Sequence, residues 1–277
     1  MILPKNEPRE IIPDKRMRFF IYGEPYTGKT TFASKFPSPI ILSSDGNYDL
    51  LSTPAITLTS TMEWVKAIEE LEKGDHTFET IIVDVVDQFF DVYREEFLKA
   101  KGKEHETDLN MKGWEMVRKP FKNLIYRLAS LPYNIIFIGH SKDKLIKDRF
   151  GNETTKTTYV LPEDLANYIT SLVKATFYTS VEQTKTKGQD GIEIYEKKHF
   201  LYLNTMDDTR KGGSRILFTS DKIELDFERF MEVFKESIEK PITEKPVDKS
   251  VKQIKTAKPL KPLDKPKTEE SVSYIWS

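Results

Sequence analysis

Ile21-Tyr22-Gly23-Glu24-Pro25-Tyr26-Thr27-Gly28-Lys29-Thr30-Thr31 carries the spacing G-x-x-x-x-G-K-T, that of a phosphate-cradling P-loop. Gly23 and Gly28 allow a tight turn and bring backbone N–H groups against phosphate oxygens, where a Cβ would obstruct. The intervening Glu24, Pro25, Tyr26 and Thr27, with Lys29 to Thr31, complete the expected nucleotide-binding segment. The Lys29 ammonium is a mobile charge suited to β- and γ-phosphates, and the Thr30 hydroxyl is a hard ligand suited to Mg2+. A helix starting near Gly28 would add the positive end of its dipole.

The flanks have the order that the motif requires. Met17-Arg18-Phe19-Phe20-Ile21-Tyr22 is a short apolar run that suits a buried strand. Thr30 to Phe36 can form a helix that Pro37 and Pro39 stop. Strand, loop and helix together predict an α/β nucleotide-binding domain with a central, mainly parallel sheet.

Three further apolar runs end in polar residues. Pro39-Ile40-Ile41-Leu42 is followed by Ser43-Ser44-Asp45-Gly46, so Asp45 either faces a nucleotide or makes an ordinary Asp-Gly turn. Thr80-Ile81-Ile82-Val83 ends in Asp84, as a Walker B strand does. An unpaired carboxylate there is costly to bury, so it is read as emerging at the strand end to hold Mg2+ through water. Asp87 is open between capping the next helix and positioning water. Asn134-Ile135-Ile136-Phe137-Ile138-Gly139 ends in His140, a structural histidine or a γ-phosphate sensor.

Between these runs the pattern is helical. Trp64, Val65, Ile68 and Leu71 share one spacing, with Ser60 or Thr61 as cap. Phe90, Tyr93 and Phe97 share another. A third helix over 114–131 contains Pro120, which is expected to kink or divide it. The basic stretch 141–161 reads as a hairpin turning at Gly151-Asn152, either solvated or a mobile loop that responds to nucleotide or faces DNA. Strands at 176–182 and 198–204 are expected to flank a polar hairpin over 183–197. A glycine-bearing basic loop with Arg210 follows. Residues 216–218 as strand and 225–234 as helix close the domain.

Composition bounds the rest. The 277 residues carry a net charge of −1, so no global field draws nucleic acid to the chain and any such site must be local. Cysteine is absent, which excludes disulfides and thiolate metal sites. No apolar run approaches the roughly 20 residues needed to span a bilayer, and no signal-peptide core is present, so a cytoplasmic, membrane-free protein is expected. Residues 1–16 read as an irregular lead-in and 17–240 as the folded domain. Residues 241–277, with eight lysines, five prolines and five acids, read as a disordered tail ending in the apolar tip Tyr274-Ile275-Trp276.

With the P-loop, Asp45, Asp84 and His140 in this order, the chain resembles the RecA-like ATPases over roughly residues 15–235. More narrowly it resembles the small phage AAA-type proteins of the Sak4 single-strand annealing group. The resemblance implies a RecA-like P-loop NTPase that uses ATP and Mg2+, with Thr30 and Asp84 serving the metal. It implies catalytic roles for Lys29, Asp45 as water activator, His140 as sensor, and Arg210 as an arginine inserted into a neighbour's site. It further implies a homo-oligomer acting on single-stranded DNA in phage recombination, with a single-strand-binding protein open as a partner. Asp45 is one carbon shorter than the glutamate usual in RecA. The basic stretch 142–156 is not a recognisable RecA DNA-binding loop, so the DNA reading rests on the likeness. Two rival readings stand beside it: a nucleotide or small-molecule kinase with 141–156 as lid, and an ATP-gated module that binds a partner without turnover.

Overall fold

Strands with apolar residues on both faces need cover on both sides, and the chain supplies it. The computed structural model describes residues 16–109, 112–147, 151, 153–187, 193–204 and 209–239. All described residues lie in the unit that ends at Lys240. The lead-in up to residue 15 and the segment 241–277, with the Tyr274–Trp276 tip, lie outside the described residues.

In chain order the elements are β1 (Arg18–Gly23), α1 (Lys29–Ala33), β2 (Pro39–Ser43), β3 (Ala55–Thr57), α2 (Thr61–Lys73), β4 (Thr80–Asp84), α3 (Val86–Ala100), α4 (Gly113–Ser130), β5 (Asn134–Lys147), β6 (Glu153–Tyr159), α5 (Glu163–Leu172), β7 (Ala175–Lys187), β8 (Glu193–Tyr202), β9 (Gly213–Ser214), β10 (Lys222–Glu224) and α6 (Phe227–Glu239). Among the described residues the strands form one sheet in the order β10-β8-β7-β1-β5-β4-β2-β3, with β6 on the outer half of β5 and β9 on β7. The run from β7 to β3 is parallel throughout, and β8 and β10 add antiparallel neighbours at one edge.

Side chains alternate across this sheet. Phe20, Tyr22, Ile81, Val83, Ile135 and Phe137 enter a core shared with α2, α3, α4 and α5. Phe19, Ile21, Ile82, Ile136 and Ile138 enter the opposite core, closed by Phe32 of α1 and Phe230, Val233 and Phe234 of α6. Trp64 of α2 stacks on Phe89 of α3 with ring centroids 3.9 Å apart, so packing accounts for that tryptophan. Ser60 and Glu63 form a capping box at the start of α2, and Gly74 ends the helix in the left-handed region. The fold is thus the expected α/β architecture, a mostly parallel sheet between helical layers.

Several local expectations are corrected. Helix α4 is not divided at Pro120, the second of the two outcomes expected there. Val117, Phe121, Ile125 and Leu128 are buried on both sides of the proline, while Pro120 and Met116 are exposed. Packing therefore holds the helix across the lost hydrogen bond, whose orphaned carbonyl belongs to the exposed turn. The polar hairpin expected over 183–197 is mostly strand, because β7 and β8 pair continuously from Tyr178–Tyr202 out to Lys187–Glu193. Residues 216–218 are not a strand; β10 follows instead at Lys222–Glu224, and α6 begins at Phe227. Strand β5 does not stop at His140. It continues to Lys147 and pairs there with β6.

Candidate nucleotide site

The site is built where the parallel strands end. Strand β5 lies between β1 and β4, so His140 stands in register with Gly23, and Ile138, two residues earlier, stands in register with Asp84. The topology therefore brings the P-loop, His140 and Asp84 to one sheet edge, where open α/β sheets bind their ligands.

Gly23 closes β1 against β7. A Cβ there would lie 2.3 Å from Thr179 Oγ1 and 2.5 Å from the Thr179 carbonyl oxygen. Gly23→Ala is accordingly expected to cost about 1–3 kcal/mol of stability through overpacking. A chemical-denaturation midpoint unchanged from wild type would contradict that close approach. Gly28 has φ +88°, outside the range that residues with a Cβ adopt cheaply, and forms the N-cap of α1. Glu24, Pro25 and Tyr26 are exposed, Tyr26 with φ 64°. Thr27 is buried and shares a 2.7 Å hydroxyl hydrogen bond with Thr179. Helix α1 spans only five residues, ended by the turns that lead to Pro37.

The Lys29 side chain folds back over the loop. Its Nζ donates to the carbonyls of Gly23 at 3.1 Å and Glu24 at 2.6 Å. Burial lowers its pKa to about 8, against the upward pull of Asp84, Asp87 and Glu24. Thr30 Oγ1 donates to Asp84 Oδ2 at 2.8 Å. Asp84 is only 6 % exposed. Burial pushes its carboxyl up to about 6 and Asp45 adds to this, while the Thr30 hydrogen bond, Lys29 and His140 draw it down. The adjoining Thr30 and Asp84 oxygens are the hard donor pair that fits Mg2+ alongside phosphate oxygens and water.

Asp87, open between two roles on sequence, clamps His140. Its Oδ1 accepts from the His140 backbone N–H at 3.0 Å, and its Oδ2 lies 2.8 Å from His140 Nδ1. With Nδ1 so engaged, Nε2 is the ring atom left for a phosphate or a water. The signal that finds this pair is the spacing Asp84-x-x-Asp87 across a strand end and the first turn of α3; the partner strand, 53 residues on, cannot be read locally.

Asp45 is half-buried in a local turn. Its Oδ1 accepts from Ser43 Oγ at 2.9 Å and from the Asn47 backbone N–H at 3.1 Å, and its Oδ2 accepts from Asn47 Nδ2 at 2.8 Å. The Ser44 backbone N–H donates to the Asp84 carbonyl at 2.7 Å, tying this turn to the end of β4. Arg210 lies on its own chain's tyrosines, its guanidinium 4.2 Å from the Tyr202 ring centroid and 5.4 Å from that of Tyr178. The Tyr22 hydroxyl, at the end of β1, donates to the adjacent Lys211 carbonyl. His199 of β8 also reaches the loop, its Nδ1 standing 3.0 Å from the Thr27 carbonyl oxygen. No local sequence signal marks Thr179, His199 or the Arg210 stack, because each contact depends on strand pairing far along the chain.

A family model described as AAA domain matches residues 15–222. Among solved structures, the flagellar accessory protein FlaH from Methanocaldococcus jannaschii is 15 % identical, with 68 % of this chain and 77 % of that one covered and a TM-score of 0.30. The Legionella pneumophila ATPase DotB is 9 % identical, with 71 % of this chain and 50 % of that one covered and a TM-score of 0.26. No curated protein matches. Among the described residues no helix is long and apolar enough to cross a membrane.

Proposed function

The chain belongs to the AAA domain family, and from that premise we propose that it binds a nucleoside triphosphate, in the first place ATP, with Mg2+ and hydrolyses it. The observation that carries the reading is the 2.8 Å hydrogen bond from Thr30 to Asp84 directly after the P-loop lysine. It joins a hydroxyl and a carboxylate into one hard ligand pair at the strand edge that also bears the Asp87–His140 clamp. Bound Mg2+ would supply charge neutralisation on the β- and γ-phosphates.

The chain's own residues have separable roles in this reading. Lys29 leaves the Gly23 and Glu24 carbonyls for the phosphates. Thr30 and Asp84 hold the metal. Asp87 fixes the His140 ring so that Nε2 reports the γ-phosphate. Asp45 orients the attacking water, for which it would have to turn from Ser43 and Asn47. Asp45→Asn is then expected to spare ATP binding and to lower turnover by about 100-fold or more. Turnover at the wild-type rate would leave Asp45 as a turn residue only.

The likeness to phage annealing proteins extends the proposal to single-stranded DNA, to an oligomer in which Arg210 completes a neighbour's site, and to a role in recombination. The lysines of the β5–β6 arm favour the DNA part. Lys142, Lys144 and Lys156 line one surface cleft, and Lys144 and Lys156 are register partners. That arm continues the strand that carries His140, so a γ-phosphate contact and a DNA contact would share one strand. The test is phosphate release from ATP with and without a single-stranded oligonucleotide, beside an anisotropy titration of the same oligonucleotide at low salt. Stimulated release and nucleotide-dependent binding are expected. Neither effect at low salt would remove the DNA part, and release without any added acceptor would count against a kinase.

A further inference from the structure

We propose that the groove between the end of α3 and the start of α4 docks an acidic peptide segment of a partner protein, held by one apolar anchor side chain. The groove has a volume of about 420 Å3, at the small end of the range of ligand sites. Its floor is apolar, made by Phe97 of α3 and by Met116 and Pro120 of α4. Lys101, Lys112 and Lys119 stand around that floor.

The floor is an outcrop of the core. Phe121 lies 5.5 Å from Tyr93 by ring centroids, and Tyr93 lies 6.1 Å from Phe97, so the series runs from the buried face of α4 to the groove. Phe97 is half-buried, while Met116 and Pro120 are exposed. An apolar side chain seated there would cover all three, and methionine adapts its shape to such an anchor. The backbone adds a polar contact. Pro120 has no N–H, so the Met116 carbonyl, four residues earlier, lacks its usual helical donor. A peptide N–H laid along the groove can donate to it.

Charge selects the occupant. Three lysines face one carboxylate, Glu115, among the described lining residues, on a chain whose net charge is −1. Carboxylates on either side of the anchor would meet these ammonium groups, an attraction that salt screens. A peptide fits better than a nucleic acid. The ammonium of Lys101 stands over the Phe97 ring, 5.9 Å from its centroid, so no open aromatic face is left on which a base could stack. The groove is also separate from the nucleotide site. Helix α3 carries Asp87 in its first turn and Phe97 ten residues on, about 15 Å along the helix.

Anisotropy titration of the full chain with labelled synthetic peptides tests the assignment, each peptide carrying aspartates around a central phenylalanine, leucine or tryptophan. Saturable binding of at least one peptide is expected at low salt, weakened as salt is raised. Replacing its aspartates by asparagine, or its central residue by alanine, is expected to weaken binding about tenfold. Lys119→Glu and Met116→Glu are each expected to weaken it about five- to tenfold while melting cooperatively. No saturable binding at low salt, or wild-type affinity in both variants, would overturn the proposal. Two further results would reassign the groove and overturn it as well. One is a single-stranded oligonucleotide that binds through Lys119 and Met116 where the peptides do not. The other is a dimer, seen by sedimentation, that Met116→Glu dissociates, which would make the groove a contact between copies.

Discussion

Replacing Lys29 by alanine is expected to weaken Mg-ATP binding by about 100-fold, with the fold retained. A charge-assisted hydrogen bond contributes about 1.5–3 kcal/mol, and the ammonium serves two phosphates, so a loss of that order follows. The fold should survive because the ammonium is costly where it lies. Burial lowers its pKa from 10.5 to about 8. Below pH 8 both the folded and the unfolded chain hold the proton, so the cost of burying the charge is present in full. It fades as the pH rises from 8 toward 10.5. Lys29→Met, which keeps most of the volume, should therefore melt at or above the wild-type temperature at pH 7 while losing ATP binding as the alanine variant does. Isothermal titration beside a thermal melt checks both halves. A variant that fails to bind only because it is unfolded would show no cooperative transition.

Asp84→Asn should lower turnover by about 100-fold or more and raise stability at neutral pH. The first effect follows from removing the anionic partner of the metal. The second follows from the raised pKa, pushed from 3.8 up to about 6 chiefly by burial. Between those values the folded chain holds a proton that the unfolded chain has released. Stability from this group is therefore lost as the pH rises through the window, and the full cost stands above pH 6. Asparagine keeps an acceptor for Thr30 and removes the charge, so a gain of about 1–3 kcal/mol is expected at pH 7.5 and almost none at pH 4. Denaturation midpoints of the two proteins at the two pH values give the comparison. A variant less stable than wild type at pH 7.5 would contradict the burial argument. The same titration predicts that Mg-ATP binding to wild type weakens as the pH falls through about 6.

Much of this was legible in the sequence because buried parallel strands announce themselves. Apart from Met17, which precedes β1, the runs at 17–22, 39–42, 80–84 and 134–140 lie in β1, β2, β4 and β5, and the ends of β1, β4 and the His140 position of β5 meet at one edge. What was not legible lacks either a buried face or a local partner. Lys142 to Lys147 alternates without an apolar side and is exposed, so its continuation of β5 leaves no periodic trace. Pro120 suggested a kink or a division, and packing of α4 on both sides overrode the division. The Asp87–His140 clamp spans 53 residues and the Thr27–Thr179 contact spans 152, and both exist only once strand order is known. The turn around Asp45 was open on spacing and is now described by three hydrogen bonds within it, which makes its catalytic reading the part most exposed to mutation.

The most direct measurement is phosphate release from Mg-ATP by the full chain at pH 7.5, wild type beside Lys29→Ala, with no acceptor added. The account predicts steady release by wild type that Lys29→Ala lacks. Equal release by both, or none by wild type, would contradict it.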